Sequence, residues 1–282
     1  MTLAAAQTRL AVLGSPIAHS LSPSLHRAAY GVLGLPWEYD AAEVTGETLD
    51  AFLGSRDATW RGLSLTMPLK RDVLPLLDTR DALVDETGSA NTVLFEQRGG
   101  ERALVGFNTD VYGITEAFRR HEHGSLETVQ ILGGGATAAS AIAAVGRLSA
   151  SRVFVSMRSA ARAEELISVG RSHGIDVIIG TLDSAAHIGV VPDAVISTLP
   201  NGSEVHVEFA PATLSSAVLF DVAYSPWPSA LAARWRGDVI SGLEMLVLQA
   251  LVQVRIFVSG NPELLLENEP EVLAAMLAVA GL

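Results

Sequence analysis

Apolar residues fall into two rhythms along this chain. Short continuous runs bounded by Gly, Pro or polar clusters read as buried strands, and apolar positions spaced three or four apart read as helices. In the first half, residues 9–13 form such a run and end in Gly14-Ser15-Pro16, a strand feeding a loop. Ser22-Pro23 then opens a helix to about residue 33, with serine as cap and proline in the first turn. Residues 37–44 and 62–66 read as two further strands, and Pro68 as the start of a helix. Residues 91–96 and 102–107, joined through Arg98-Gly99-Gly100, predict a β-hairpin.

The second half alternates more regularly. Residues 112–121 read as a helix that could bridge two units, followed by apolar runs at 129–132, 153–155, 177–179, 194–197 and 218–221. Strands of this kind separated by helical stretches predict a parallel, doubly wound sheet. Residues 243–258 carry Leu243, Leu246, Val247, Ala250, Val254 and Phe257 at helical spacing; Gly260 ends that helix and Asn261-Pro262 is expected to start another. The fold class is therefore α/β.

Composition narrows the function classes. A chain of 282 residues with 49% hydrophobic and 18% charged residues has material for one large or two modest packed domains. Its formal charge of −12 argues against nucleic-acid or anionic-membrane partners, without excluding a local anion pocket. With no cysteine there is neither a disulfide nor a thiolate nucleophile. No metal is expected, since His121-Glu122-His123-Gly124 lacks the spacing of a helical zinc motif. Met1 to Arg9 shows no secretory pattern and residues 243–258 are interrupted by polar groups, so a cytoplasmic location is expected.

The strongest chemical signal of the second half is Gly133-Gly134-Gly135-Ala136-Thr137-Ala138, between an apolar run and an alanine-rich helix. It fits G-x-G-x-x-A: glycine for the strand-to-helix turn, glycine for close approach of a pyrophosphate, and a small residue for helix–sheet packing. An NAD-preferring site carries an acid at the end of the next strand, about 20 residues on. Here stand Arg158, Ser159 and Arg162, which predict NADP with these residues around the 2′-phosphate. The competing view is that both arginines are solvated helix charges.

In the first half, polar clusters recur in a fixed order: Ser20-Leu21-Ser22, Ser64-Leu65-Thr66-Met67-Pro68-Leu69-Lys70, Ser89-Ala90-Asn91-Thr92 and Asn108-Thr109-Asp110. With Asp221-Val222-Ala223-Tyr224 and Gly242-Leu243-Glu244-Met245-Leu246-Val247-Leu248-Gln249, they resemble the successive motifs of shikimate dehydrogenases. The resemblance runs from about residue 10 to about residue 260. It implies NADPH-dependent reversible reduction of 3-dehydroshikimate to shikimate. It further implies a substrate domain of residues 1–111 and 243–282 and a Rossmann NADP domain of residues 112–242, with the active site in the cleft.

By matching position, Lys70 and Asp110 would be catalytic, and Ser20, Ser22, Thr66, Asn91 and Gln249 would contact substrate with Tyr224 nearby. Gly133, Gly134, Gly135, Ala136 and Gly242 would line the cofactor. The residue chemistry agrees: hydroxyl donors suit a carboxylate, amides can both donate and accept toward hydroxyls, and an amine can pass a proton to an oxygen. His19 and His26 read as structural. The chain departs from the family pattern at Ser64, where asparagine is usual, and at Ala136, Ala139 and Met157. Quinate/shikimate or aminoshikimate dehydrogenase, and a non-catalytic NADP-binding sensor, stand as alternatives. Monomer and homodimer are both compatible.

Overall fold

In the computed structural model, which describes residues 7–200 and 207–282, two units are distinguished. The first runs up to Thr109 and takes in Val247–Leu282; the second is Asp110–Leu246. Residues 1–6, part of the segment on which the leader reading rests, lie outside the described residues.

The first unit contains β1 (Arg9–Gly14), α1 (Ser22–Val32), β2 (Glu38–Glu43), α2 (Gly46–Gly54), β3 (Trp60–Leu65), α3 (Leu69–Asp72), β4 (Thr79–Arg80), α4 (Ala82–Thr87), β5 (Thr92–Arg98) and β6 (Glu101–Phe107). Its six strands are ordered β2-β1-β3-β5-β6-β4. β1 runs parallel to β2 and β3, whereas β5 is antiparallel to both β3 and β6. The β5–β6 turn is Gly99-Gly100 with φ of 62° and 92°, the left-handed values a two-residue hairpin loop needs. One sheet face is apolar: Leu13, Leu63, Leu65 and Val93 pack with Leu49 and Leu53 of α2. Each such buried side chain contributes about 1.5–3 kcal/mol.

The second unit begins with α5 (Asp110–Arg120) and continues through β7 (Thr128–Leu132), α6 (Ala136–Gly146), β8 (Arg152–Met157), α7 (Ala163–Ser172), β9 (Asp176–Thr181), β10 (Ala194–Ser197), α8 (Pro211–Ser216), β11 (Val218–Asp221) and β12 (Val239–Ser241). All paired strands are parallel, in the order β9-β8-β7-β10-β11-β12. Counted from β7 this is 3-2-1-4-5-6, the doubly wound order of dinucleotide-binding sheets. Ala138, Ala141, Ala143 and Ala144 are fully buried, so α6 sits close to its neighbours.

The helix α9 (Gly242–Ser259) starts in the second unit and ends in the first; α10 (Glu269–Ala280) follows. By length and mean hydropathy of 1.5, α9 could cross a membrane, but 72% of it is buried inside the fold. It also carries Arg255, paired with Glu269 (Nε to Oε2, 2.8 Å). Burial pushes the Glu269 carboxyl up, but the Arg255 hydrogen bonds, the Leu266 N–H and the Arg255 charge outweigh it and hold the group below its ordinary range. Phe257 of α9 occupies the notch left by Gly62: a Cβ there would lie 2.5 Å from the ring and 2.7 Å from the Val93 carbonyl. Arg61 Nε donates to the Phe257 carbonyl at 2.7 Å beside it.

Two expectations need correction. Asn261-Pro262 does not start a helix: the Asn261 side chain accepts the Glu263 N–H, and Arg255 holds the Pro262 carbonyl, which keeps the segment in a turn until Glu269. Ser22 does not cap α1. It lies in the first turn, Leu21 is the cap position, and Ser20 Oγ accepts the Ser22 N–H at 3.3 Å.

Candidate active site

At the carboxyl ends of β1 and β3 the chain turns into two adjoining loops. Ser15 N–H donates to the Met67 carbonyl (3.0 Å) and Thr66 N–H to the Leu13 carbonyl (2.9 Å). Gly14 makes this approach possible, because a Cβ there would lie 2.4 Å from Thr66 Cγ2. Ser20 and Thr66 are half-buried here and Ser22 is buried. Lys70 sits in the single turn of α3, half-buried, and its carbonyl accepts the Ala90 N–H at 2.8 Å. The lysine turn is thus tied to the residue preceding Asn91.

Asn91 and Gln249 meet directly, Nδ2 to Oε1 at 3.1 Å. Their orientation follows from groups that can act in only one sense. The Thr109 backbone N–H is a donor, so the Asn91 atom at 2.9 Å from it is Oδ1. The Asn91 carbonyl is an acceptor, so the Gln253 atom at 3.2 Å from it is Nε2. That same Nε2 donates to Thr92 Oγ1 (3.0 Å), and the Thr92 hydroxyl passes its own proton to Asn91 Oδ1 (2.8 Å). Asn91 Nδ2 then donates to Thr109 Oγ1 (2.8 Å) and Gln249 Oε1, and the Thr109 hydroxyl lies 3.3 Å from Gln249 Oε1.

The chain of bonds extends on the far side of Gln253. Its Oε1 accepts from Ser64 Oγ (2.8 Å) and His26 Nε2 (3.2 Å), while Tyr39 donates to Ser64 (2.6 Å). His26 is stacked on Tyr39 with ring centroids 3.9 Å apart and accepts from Tyr30 at Nδ1 (3.2 Å). Burial lowers the His26 pKa to about 3, despite the opposing Gln253 hydrogen bond, so the ring is neutral with its proton on Nε2. Burial also pushes both tyrosines well above their usual range and keeps them as hydroxyl donors.

This network joins two of the expected substrate residues, Asn91 and Gln249. Within it Asn91 Oδ1 accepts from Thr92 and from the Thr109 N–H, and Gln249 Oε1 accepts from Asn91 Nδ2. Asn91 Nδ2 is likewise engaged, by Thr109 Oγ1 and Gln249 Oε1. Ser64, Thr92, Thr109 and Gln253 carry no role that the motifs alone assign. The available signal is Gln253 one helical turn after Gln249, which places two amides on one side of α9.

Asp110 opens α5, buried at its N-terminus where a carboxylate is favoured by the helix dipole. In the second unit, the glycine loop leaves β7 between the ends of β8 and β10, where the strand order reverses. Gly133 has φ +108°, and a Cβ on it would lie 2.4 Å from Thr198 Oγ1; a Cβ on Gly134 would lie 2.5 Å from Met157 Cε. A Cβ on Gly135 would meet no protein atom within 4 Å. Gly135 caps α6, whose first residue is Ala136, so free backbone N–H groups stand there.

Arg158, Ser159 and Arg162 are exposed on the turn after β8; Ser159 caps it by accepting the Ala161 N–H. Neither arginine forms a salt bridge among the described residues, and no acid ends β8. A helix N-terminus, an open glycine and two cationic forks fit a dinucleotide carrying a third phosphate. Gly242 starts α9 against the Val222 backbone with no room for a Cβ. Tyr224, half-buried after β11, has its hydroxyl pKa raised by burial. Nearby, Asp221 is buried, accepts from Ser229 and the Ala223 N–H, and has its pKa raised by desolvation against these bonds. Among the described residues no cluster of metal-ligating side chains occurs.

Comparison with known proteins gives a consistent picture. Residues 12–93 match the shikimate dehydrogenase substrate binding domain. The crystal structure of Mycobacterium tuberculosis shikimate dehydrogenase is 34% identical, covers 96% of this chain and 99% of that one, and superposes with a TM-score of 0.81. Shikimate 5-dehydrogenase from Thermus thermophilus, solved with NADP(H) and shikimate, is 27% identical over 97% of this chain and 100% of that one, with a TM-score of 0.77. Shikimate dehydrogenase (NADP(+)) of Halothermothrix orenii is 28% identical, covering 93% of this chain and 95% of its own.

Proposed function

The chain belongs to the shikimate dehydrogenase family, and from that premise we propose that it catalyses the reversible NADPH-dependent reduction of 3-dehydroshikimate to shikimate in aromatic amino-acid biosynthesis. We place it in the cytoplasm, as a monomer or homodimer acting on a small molecule without nucleic-acid or membrane partners. NADPH, when bound, supplies the hydride.

The protein's own residues do the rest. Lys70 Nζ gives a proton to the ketone oxygen as it becomes a hydroxyl, and takes it back in the reverse direction. Asp110 orients the ammonium and the neighbouring hydroxyl. Ser20, Ser22 and Thr66 donate to the substrate carboxylate, and Asn91 with Gln249 contacts the ring hydroxyls. Tyr224 lies beside the substrate. Gly133, Gly134, Gly135 and Ala136 bring backbone N–H to the pyrophosphate, Gly242 adjoins the cofactor, and Arg158, Ser159 and Arg162 hold the 2′-phosphate.

The observation that best supports this reading is that Asn91 and Gln249, 158 positions apart in sequence and both expected at the substrate, meet directly at 3.1 Å. Absorbance at 340 nm with shikimate or quinate, each with NADP+ or NAD+, tests it. Turnover is expected with shikimate and NADP+, weaker with NAD+. Preference for quinate would assign the broader enzyme, and binding of NADP+ without turnover of either acid would assign a sensor.

A further inference from the structure

Away from the glycine loop, the second unit buries an acid at the end of β11. Asp221 is 2% exposed. Taking a carboxylate out of water is costly unless donors surround it. Three do: the Ala223 N–H on Oδ1 (3.2 Å), the Ser229 hydroxyl on Oδ2, and the Ser197 hydroxyl from the neighbouring strand β10. The sense of the Ser229 bond follows from its other partner. Ser229 Oγ accepts the Ala232 N–H (3.0 Å), and its single proton goes to the carboxylate.

These donors stand at meaningful places. Ala223 and Ser229 are the two ends of the segment 223–229, which leaves the sheet after β11 and turns back at Ala232–Arg234. One carboxylate therefore ties both ends of the loop to the strand. The base is held further: the Val222 N–H donates to the Ser197 carbonyl (3.0 Å), and the Val222 carbonyl abuts Gly242, where a Cβ has no room. Tyr224 directly follows the first tie. Its hydroxyl makes no hydrogen bond among the described residues, and burial raises its pKa, so it stays a proton donor.

We propose that Asp221 and Ser229 are positioning residues for the substrate site: together they hold the 223–229 loop so that Tyr224 presents its hydroxyl to the substrate. This rests on the dehydrogenase reading above, in which Tyr224 lies beside the substrate. Neither residue needs to touch the ligand. Asp221 acts on the near side, through the backbone N–H of the residue before Tyr224. Ser229 acts on the far side, by closing the loop back onto the same carboxylate. Without its hydroxyl the carboxylate keeps Ala223 but loses the returning end, and the phenol is no longer set at one depth.

The test is steady-state kinetics on the full chain with shikimate and NADP+, with thermal melts alongside. Wild type is compared with Tyr224→Phe, Ser229→Ala, Ser229→Thr and the double variant Tyr224→Phe with Ser229→Ala. Tyr224→Phe and Ser229→Ala should each raise the shikimate KM about five- to tenfold, the weight of one hydrogen bond. The NADP+ KM stays unchanged, and Ser229→Thr, which keeps the hydroxyl, restores the shikimate KM. The double variant should match Tyr224→Phe within about twofold, because Ser229 acts through that phenol. An unchanged shikimate KM in Ser229→Ala with a lowered melting temperature would overturn the inference and leave a purely structural clamp. Effects of the two single variants that multiply would overturn it as well. If Ser229→Ala does not fold, Asp221→Asn, which keeps an acceptor for the Ala223 N–H, takes its place in the same cycle. Absence of wild-type turnover is a different result: it removes the dehydrogenase reading, and this inference with it.

Discussion

The two sheets place their polar atoms by opposite means. In the first unit, side chains do it: hydroxyls, amides and a neutral imidazole are threaded between the sheet and its helices, each fixing the sense of the next. In the second, backbone does it: three glycines and an alanine-packed helix bring N–H groups to one spot, with hardly a side chain engaged. The first arrangement is sensitive to the loss of one proton on one hydroxyl. The second is sensitive to the gain of one methyl group. A site built from side chains can be tuned in its donor pattern, which suits a ligand told apart by its hydroxyls. A site built from backbone is indifferent to residue type beyond size, which suits a pyrophosphate.

Lys70→Ala tests the side-chain half most severely. Its kcat should fall by about 10²–10⁴-fold, as for loss of a general acid, while NADP+ affinity measured by fluorescence titration stays the same. An unchanged kcat would break the comparison at its centre. For the nucleotide half, Arg158→Ala with Arg162→Ala should weaken NADP+ by about 10–100-fold, the weight of one or two charge-assisted hydrogen bonds, with NAD+ kinetics untouched. Equal losses for both nucleotides would mean the arginines are merely solvated.

The glycines separate fold from ligand. Gly133→Ala, at φ +108° and against Thr198, should cost about 1–3 kcal/mol of stability. Gly135→Ala should leave the melt within about 0.5 kcal/mol of wild type and still raise the NADP+ KM, because the protein itself places no constraint there.

His26 probes the side-chain half through pH. Its pKa is about 3 in the fold against an ordinary 6.5, so between these values the unfolded chain holds a proton that the native chain does not. Stability from this group is full above pH 6.5 and falls with acid, by at most about 1.4 kcal/mol per pH unit. Urea titrations from pH 7 to pH 4 should show this slope, and His26→Asn should flatten it.

The α/β class and the parallel sheet are legible because continuous apolar runs leave a strand little alternative. The runs at 129–132, 153–155, 177–179, 194–197 and 218–221 all lie in β7 to β11. β12 is not legible, since three residues carry no periodicity. The Gly99-Gly100 turn is legible because only glycine relieves both left-handed positions. The Ser22 cap and the Asn261-Pro262 helix mislead because local composition does not reveal competitors such as Ser20 and Arg255. The amide polarity is out of reach for a deeper reason. Asn91 and Gln249 are 158 positions apart, and Ser64 and Gln253 are 189 apart. Which end of an amide points inward is decided by such partners and leaves no trace in spacing.

Gly62 has a consequence that reaches beyond packing. Phe257 seats in its notch, and Gln253 and Gln249 follow at one-turn intervals back along the same helix. The empty place on the strand therefore works like a keyway: it sets how far the helix slides along its own axis, and with it the depth at which both amides arrive. An alanine at position 62 would alter no polar group, yet it would lift the whole row out of alignment and be felt as lost grip on a sugar-like acid.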